Sequence, residues 1–157
     1  MNPPIQINAS IALSIKVVKC QSFIWSQFGK DNREIIPFDQ YEFTFYMEVK
    51  IDVLNESINI VLSTMLLDKR NLNNKNEICT LKSFSGFQIL NFKDILPKKD
   101  NTILIPDELL ELCAGISLAN TRGMFSVKLD GSQYSSVTVP LIDPKMFLPK
   151  RSTQKIA

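Results

Sequence analysis

The segment Tyr41 to Val53, YEFTFYMEVKIDV, carries an apolar side chain at every odd position and a charged or polar one at most even positions. Successive side chains of an extended chain point to opposite sides, so this period of two describes a strand with one covered and one solvated face. Thirteen residues at about 3.4 Å each give a reach of about 40 Å. A strand solvated on one side belongs to an antiparallel sheet.

The neighbouring segments continue the pattern. Leu54 to Ser57 turns the chain back into SINIVLSTMLLD, where the apolar set moves from Ile58, Ile60 and Leu62 to Met65 and Leu67 and predicts a bulge near Ser63. Upstream, Ile7 to Trp25 alternates on odd positions, doubles at Val17 and Val18, then continues through Phe23 and Trp25 as a long kinked strand. Downstream of the polar loop KRNLNNKN, the segment EICTLKSFSGFQIL alternates through Cys79 and Leu81, breaks at Ser85 and Gly86, and resumes at Phe87 and Ile89. Glycine there fits a bulge or a close backbone contact. Four strands without intervening helices predict an α+β fold, a four-stranded antiparallel sheet followed by a helical tail.

Pro106 marks the start of that tail, and Asp107, Glu108 and Glu111 place negative charge at the positive end of the helix dipole. Asp130 and Gly131 supply the stop, with Gly131 as a left-handed cap. The predicted helix has about 24 residues and a length of about 36 Å. At about 100° per residue, Leu109, Leu112, Cys113, Ile116, Met124 and Val127 gather on one side, while Leu110, Ala114, Leu118, Phe125 and Leu129 gather on the other. Small residues at Gly115, Ala119, Gly123 and Ser126 run between them. One sheet covers one face, so the second is expected to meet either the chain's own C-terminal arm or another subunit. The subunit reading assigns Leu110, Ala114, Gly115, Leu118, Ala119, Gly123 and Phe125 to the contact.

Composition limits the function. With 157 residues, 45% hydrophobic and 22% charged, the chain suits one globular domain with its own core. A net charge of +2 is too small and scattered for a nucleic-acid footprint, and the basic run Lys145 to Lys155 reads as a solvated tail. No apolar run approaches the roughly 18 residues of a membrane span, and MNPPIQINAS lacks the pattern of a signal peptide. The expectation is a soluble cytoplasmic protein without membrane insertion. Cys20, Cys79 and Cys113 are widely spaced in apolar segments and are expected to be buried reduced thiols. Histidine is absent, which removes Ser-His-Asp and Cys-His catalysis and the usual zinc sites. Five glycines form no phosphate-cradling loop. Glu42, Glu48 and Asp52 share the wet face of one strand as ordinary solvated alternation. No enzyme, metal site or cofactor is expected.

The aromatic residues are the remaining feature. Ten Phe, three Tyr and one Trp lie mostly on or beside strands, and most are expected in the core or a subunit interface. Those at strand ends and in the Ser26 to Gln40 loop, Phe28 and Phe38 among them, are expected to line an open groove of the kind that binds partner or client chains.

The run LCAGISLANTRGMFSVKLDGSQYSSVTVPLIDPKMF, Leu112 to Phe147, resembles the C-terminal half of the SecB family of protein-export chaperones. Thr121 and Arg122 in the long helix, Gly131 and Ser132 at its end, Pro140, Ile142 and Asp143 in the extended segment, and Phe147 in a second short helix follow the family's order and spacing. With the four strands before it, the resemblance covers about residues 7 to 148, leaving 149 to 157 as a tail. It implies subunits that pair into dimers and then tetramers through the long helices. It also implies grooves that bind non-native polypeptides without nucleotide or covalent chemistry, and transfer of exported precursors to the SecA motor. Carried onto this chain, the implied groove residues are Phe23 and Trp25, Phe84, Phe87 and Ile89, and Met146 and Phe147. The weakly basic charge and Pro149, which shortens the second helix, depart from the family pattern, so client binding is a closer expectation than delivery to SecA. The expected function is that of a holdase. The alternatives are an adaptor or structural protein holding one folded partner, and a chaperone dedicated to a toxin-antitoxin pair.

Overall fold

The computed structural model describes residues 13–96 and 98–149. Strands β1 (Leu13–Trp25), β2 (Tyr41–Asp52), β3 (Ser57–Asp68) and β4 (Asn76–Ile89) form one antiparallel sheet in the spatial order β1-β4-β3-β2. The alternation of β2 is expressed as its sequence requires: Met47 stands opposite Leu62 and Val49 opposite Ile60 on the covered face. Thr44, Tyr46, Glu48 and Lys50 are exposed on the other. Because β1 and β2 occupy opposite edges, residues 26–40 must cross the sheet's width, about 14 Å for three strand spacings. This crossover holds α1 (Gln27–Asp31) and a single 3-10 turn (Phe38–Gln40).

Two expected irregularities lie elsewhere. β3 keeps its register with β2 through Ser63, and its inward row continues as Thr64, Leu66 and Asp68. Val61, Met65 and Leu67 belong to the opposite face, and the register shift falls between Leu66 and Leu67, against β4. In β4 the inward row runs unbroken through Leu81, Ser83, Ser85, Phe87 and Ile89, with small serines at two of the buried positions. The irregularity belongs to β1, which shifts register between Ile15 and Val17 and again between Cys20 and Ser22, on either side of the Val17-Val18 doublet. Gly86 faces the first shift. A Cβ there would lie 2.8 Å from Val17 Cγ1, so glycine leaves room for the kinked strand. The part of the expected first strand before Leu13 lies outside the described residues.

After β4, a short helix α2 (Phe92–Ile95) and a hairpin of β5 (Lys98–Lys99) and β6 (Thr102–Ile103) lead to α3 (Asp107–Leu129). Pro106 is the residue before the first helical one, with Asp107 and Glu108 in the first turn. Gly131 adopts the left-handed conformation expected of it, at φ +74°. None of the described helices is long and apolar enough to cross a membrane.

The helix does not have two opposed apolar faces. Its buried residues are Leu109, Cys113, Ser117, Thr121, Phe125 and Leu129, a continuous i, i+4 row, with Leu110, Ala114 and Leu118 beside it. Such a row is inclined by about 26° to the helix axis, so it winds around a straight helix while following a twisted sheet. Projected at a fixed 100° per residue, its two ends fall on opposite sides. The C-terminal arm runs back along the helix: Arg122 Nε donates to Val139 O at 3.0 Å, and Pro144 lies beside Gly115. Leu110, Ala114, Leu118 and Phe125 are thus buried within the subunit, which corrects their assignment to an intersubunit contact. Gly115 is half-buried, while Ala119 and Gly123 remain exposed in a strip with Leu112 and Val127.

The core is divided into two apolar clusters. One joins Leu66, Cys79, Leu81, Phe125, Leu129, Tyr134, Val137 and Val139, with Phe23, Trp25 and Phe43 packed against it. The other joins Ile58, Ile60, Phe87, Ile89, Phe92, Leu96, Leu109 and Cys113. Residues of the intervening sequence positions on sheet and helix include buried hydroxyls. Ser83 Oγ meets Thr121 Oγ1 at 2.7 Å, and Thr121 donates onward to Ser117 O. Thr64 Oγ1 is buried with no partner. A desolvated hydroxyl without a hydrogen bond costs about 1–3 kcal/mol, so Thr64→Val, which keeps the shape, is expected to stabilise the fold by about 1 kcal/mol. The check is a raised urea midpoint with an unchanged slope.

Candidate functional site

The crossover is pinned to the rest of the subunit at three places. Ser26 N and Oγ both donate to Ile78 O at 2.9 Å, and Ser26 Oγ also accepts from Gly29 N at 2.8 Å, capping α1. Gly29 is packed directly against β4: a Cβ there would stand 2.1 Å from Ile78 O. From the turn after α3, the buried Tyr134 hydroxyl donates to Gly29 O at 3.2 Å and accepts from Asn32 Nδ2 at 3.3 Å, while Gln133 Nε2 donates to Asn32 O.

The third anchor is ionic. Arg70 binds the side chain of Asp68, which is 3% exposed, through Nε and Nη2 at 2.7–3.1 Å, and reaches Glu34 of the crossover at 2.9 Å. Burial by itself would raise the Asp68 carboxyl, but the hydrogen bonds and charge of Arg70 outweigh it and hold the group below the usual carboxylate range. A depressed folded value means that Asp68 contributes stability above its unfolded pKa of about 3.9, lost as pH falls through the folded value. Urea unfolding of the wild type is therefore expected to weaken more steeply below about pH 4 than that of Asp68→Asn. Parallel curves would remove this role.

Between the crossover and the turn after α3 lies a cleft of about 410 Å³, lined by Trp25, Gly29, Lys30, Arg33, Gly131, Ser132, Gln133 and Tyr134. Trp25 and Tyr134 form its aromatic wall with centroids 5.7 Å apart, and Phe23 stands behind Trp25, edge to face at 5.2 Å. On the far side of Gln133 and Tyr134 a smaller cleft of about 130 Å³ includes Ile35, Phe38 and Tyr41. Ile35 is 93% and Phe38 81% exposed, at the rim. Burial, and then the neighbouring Tyr134 and Asp68, push the Tyr41 phenol upward, so it stays protonated.

Of the residues the family resemblance implied, only Phe23 and Trp25 belong to this region. Phe87 and Ile89 are fully buried in the second core cluster and present no surface to a client. Phe84 lies on the opposite face of the sheet, half-buried, with Lys19 Nζ 5.3 Å from its ring centre. Met146, exposed, and Phe147, half-buried, sit in the 3-10 turn Pro144–Phe147 against α3. The crossover position Phe38 was legible, but Lys30, Arg33, Gln133 and Tyr134 carry no local signal: Tyr134 is an aromatic in a polar run. Cys20, Cys79 and Cys113 are free thiols, and burial pushes Cys79 and Cys113 up to about 12. Among the described residues no three of Cys, Asp and Glu gather as a metal site.

The architecture has a solved counterpart. The Mycobacterium tuberculosis SecB-like chaperone Rv1957, in complex with a ChAD peptide from the Rv1956 HigA1 antitoxin, superposes with a TM-score of 0.52 at 12% identity, covering 83% of this chain and 90% of that one. The fold is SecB-like. A protein of unknown function from Streptococcus agalactiae matches with a TM-score of 0.38 at 13% identity, over 85% of this chain and 99% of the other. No protein-family model and no curated protein matches the sequence. In the SecB-like fold of this chain, the crossover cleft lies beyond the end of β1, beside the turn that ends α3.

Proposed function

We propose that the chain is a holdase, a non-enzymatic chaperone that seats apolar segments of non-native polypeptides at the crossover cleft and so keeps them from aggregating. The observation that carries this reading is the joint occurrence of a SecB-like fold, a cleft walled by Trp25 and Tyr134, and a smaller cleft across Gln133 and Tyr134 from it that is rimmed by the exposed Ile35 and Phe38. Large apolar side chains grouped at a concave surface favour partner binding. Apolar burial is non-directional, which suits clients of varied sequence.

The test is suppression of aggregation of a chemically unfolded protein by several-fold molar excess of the chain. Phe38→Ser is expected to weaken client affinity by about tenfold, the value of one Phe side chain withdrawn from water, without affecting folding because the ring is exposed. Absence of suppression by the wild type would sink the reading. Assembly belongs to the same proposal: the strip of Leu112, Ala119, Gly123 and Val127, exposed on α3 beside the half-buried Gly115, is the surface offered to a second copy, in a cytoplasmic dimer or tetramer. Sedimentation as a stable monomer would remove that part. Transfer to SecA is tested separately, by co-sedimentation with the purified motor.

A second reading has its own support. The structurally similar M. tuberculosis chaperone was solved with an antitoxin peptide, which favours service to one dedicated partner. A dedicated chaperone co-purifies with one protein in fixed ratio and ignores unfolded model clients; a general holdase does the reverse. An adaptor would bind that partner only when folded.

A further inference from the structure

The cleft carries two cations, Lys30 and Arg33, that form no ion pair among the described residues. Lys30 and Arg33 line it beside Trp25 and Tyr134, and none of its lining side chains is a carboxylate. The acids adjacent in sequence are engaged elsewhere: Asp31 accepts from Gln27 Nε2 at 2.7 Å, and Glu34 is held by Arg70 at 2.9 Å. Arg33 Nη1 donates to Lys30 O at 3.2 Å, a contact that ties the guanidinium to α1 and leaves its remaining donors available. Neither cation takes part in any ion pair among the described residues.

We propose that the cleft selects polypeptide segments in which an acidic residue stands one or two positions from a bulky apolar one. The apolar side chain packs on Trp25 and Tyr134, and the carboxylate is received by Arg33 and Lys30. The inference rests on the client-holding reading and adds a client class to it. In an extended segment, residues two apart are about 7 Å from each other, a spacing that a cleft of about 410 Å³ accommodates. The planar guanidinium fork matches a carboxylate. Each exposed charge pair contributes little, so two together are expected to favour an acidic segment over a neutral one by about fivefold to tenfold, with strong salt dependence.

Trp25 is the only tryptophan in the chain, and its fluorescence reports occupancy. Three unstructured peptides with blocked ends would share one Phe-Leu centre and carry acidic, amide or lysine flanks. The acidic peptide is expected to bind most tightly, by about fivefold to tenfold over the amide one, with the gap closing near 0.5 M salt, where the screening length is only about 4 Å. The double variant Lys30→Glu, Arg33→Glu alters two exposed side chains and is expected to reverse the order in favour of the lysine peptide. Equal affinity for all three peptides, or an unchanged order in the double variant, overturns the proposal while leaving client holding intact. Failure of every peptide to bind, by fluorescence and by calorimetry, overturns the client-holding reading itself.

Discussion

Phe125→Ala is expected to lower folding stability by about 3–5 kcal/mol, the cost of emptying a well-packed aromatic site. The ring is fully buried between α3 and the sheet, edge to face with Phe43 at 5.6 Å and with Phe23 at 6.2 Å. Its loss removes burial and two aromatic contacts together. The expected signature in urea unfolding is a midpoint drop of the same size at protein concentrations tenfold apart, because the ring is covered by its own subunit. A variant that keeps its unfolding midpoint but loses a concentration-dependent oligomer would place Phe125 in an intersubunit contact. The packing of α3 described above would then be wrong.

Gly29→Ala is expected to cost about 2–4 kcal/mol and to disturb the cleft at the same time. The added Cβ would stand 2.1 Å from Ile78 O and 2.9 Å from Ile78 C. Both are backbone atoms of a central strand and cannot swing aside. α1 must lift from β4, which breaks the bonds of Ser26 to Ile78 O and of Tyr134 to Gly29 O. Since Trp25 lines the same cleft, its emission is expected to shift as thermal stability falls, with holding activity declining in step. Unchanged melting and unchanged emission together would show that the crossover does not depend on this contact.

Much of the sheet was legible because strand alternation is a local property. β2 runs from Tyr41 to Asp52 as its pattern requires, and Gly131 ends α3 in the left-handed conformation that only a residue without Cβ adopts cheaply. The errors arose where a small polar residue occupies an inward position. Ser83, Ser85 and Thr64 face the helix although their chemistry suggests solvent, so the inward row looked interrupted in β3 and β4. The candidate site was legible only in part. Trp25 and Phe38 stood out as aromatics at a strand end and in a loop, whereas Lys30, Arg33 and Tyr134 acquire meaning from each other.

By itself, then, the sequence determined the elements: period two for four long strands, charge and capping for one long helix, and a residue inventory that points away from histidine-based chemistry. Only the tertiary structure decided how they share surfaces. The order β1-β4-β3-β2 sends residues 26–40 across the sheet, and the inclined i, i+4 row of α3 sets which helix residues are buried. The turn after the helix therefore arrives at the crossover, placing Tyr134 about a hundred positions along the chain from Gly29 yet within 3.2 Å of its carbonyl oxygen. The physical reason is that alternation and capping depend on neighbours a few residues apart, while a cleft depends on which distant backbones pack together.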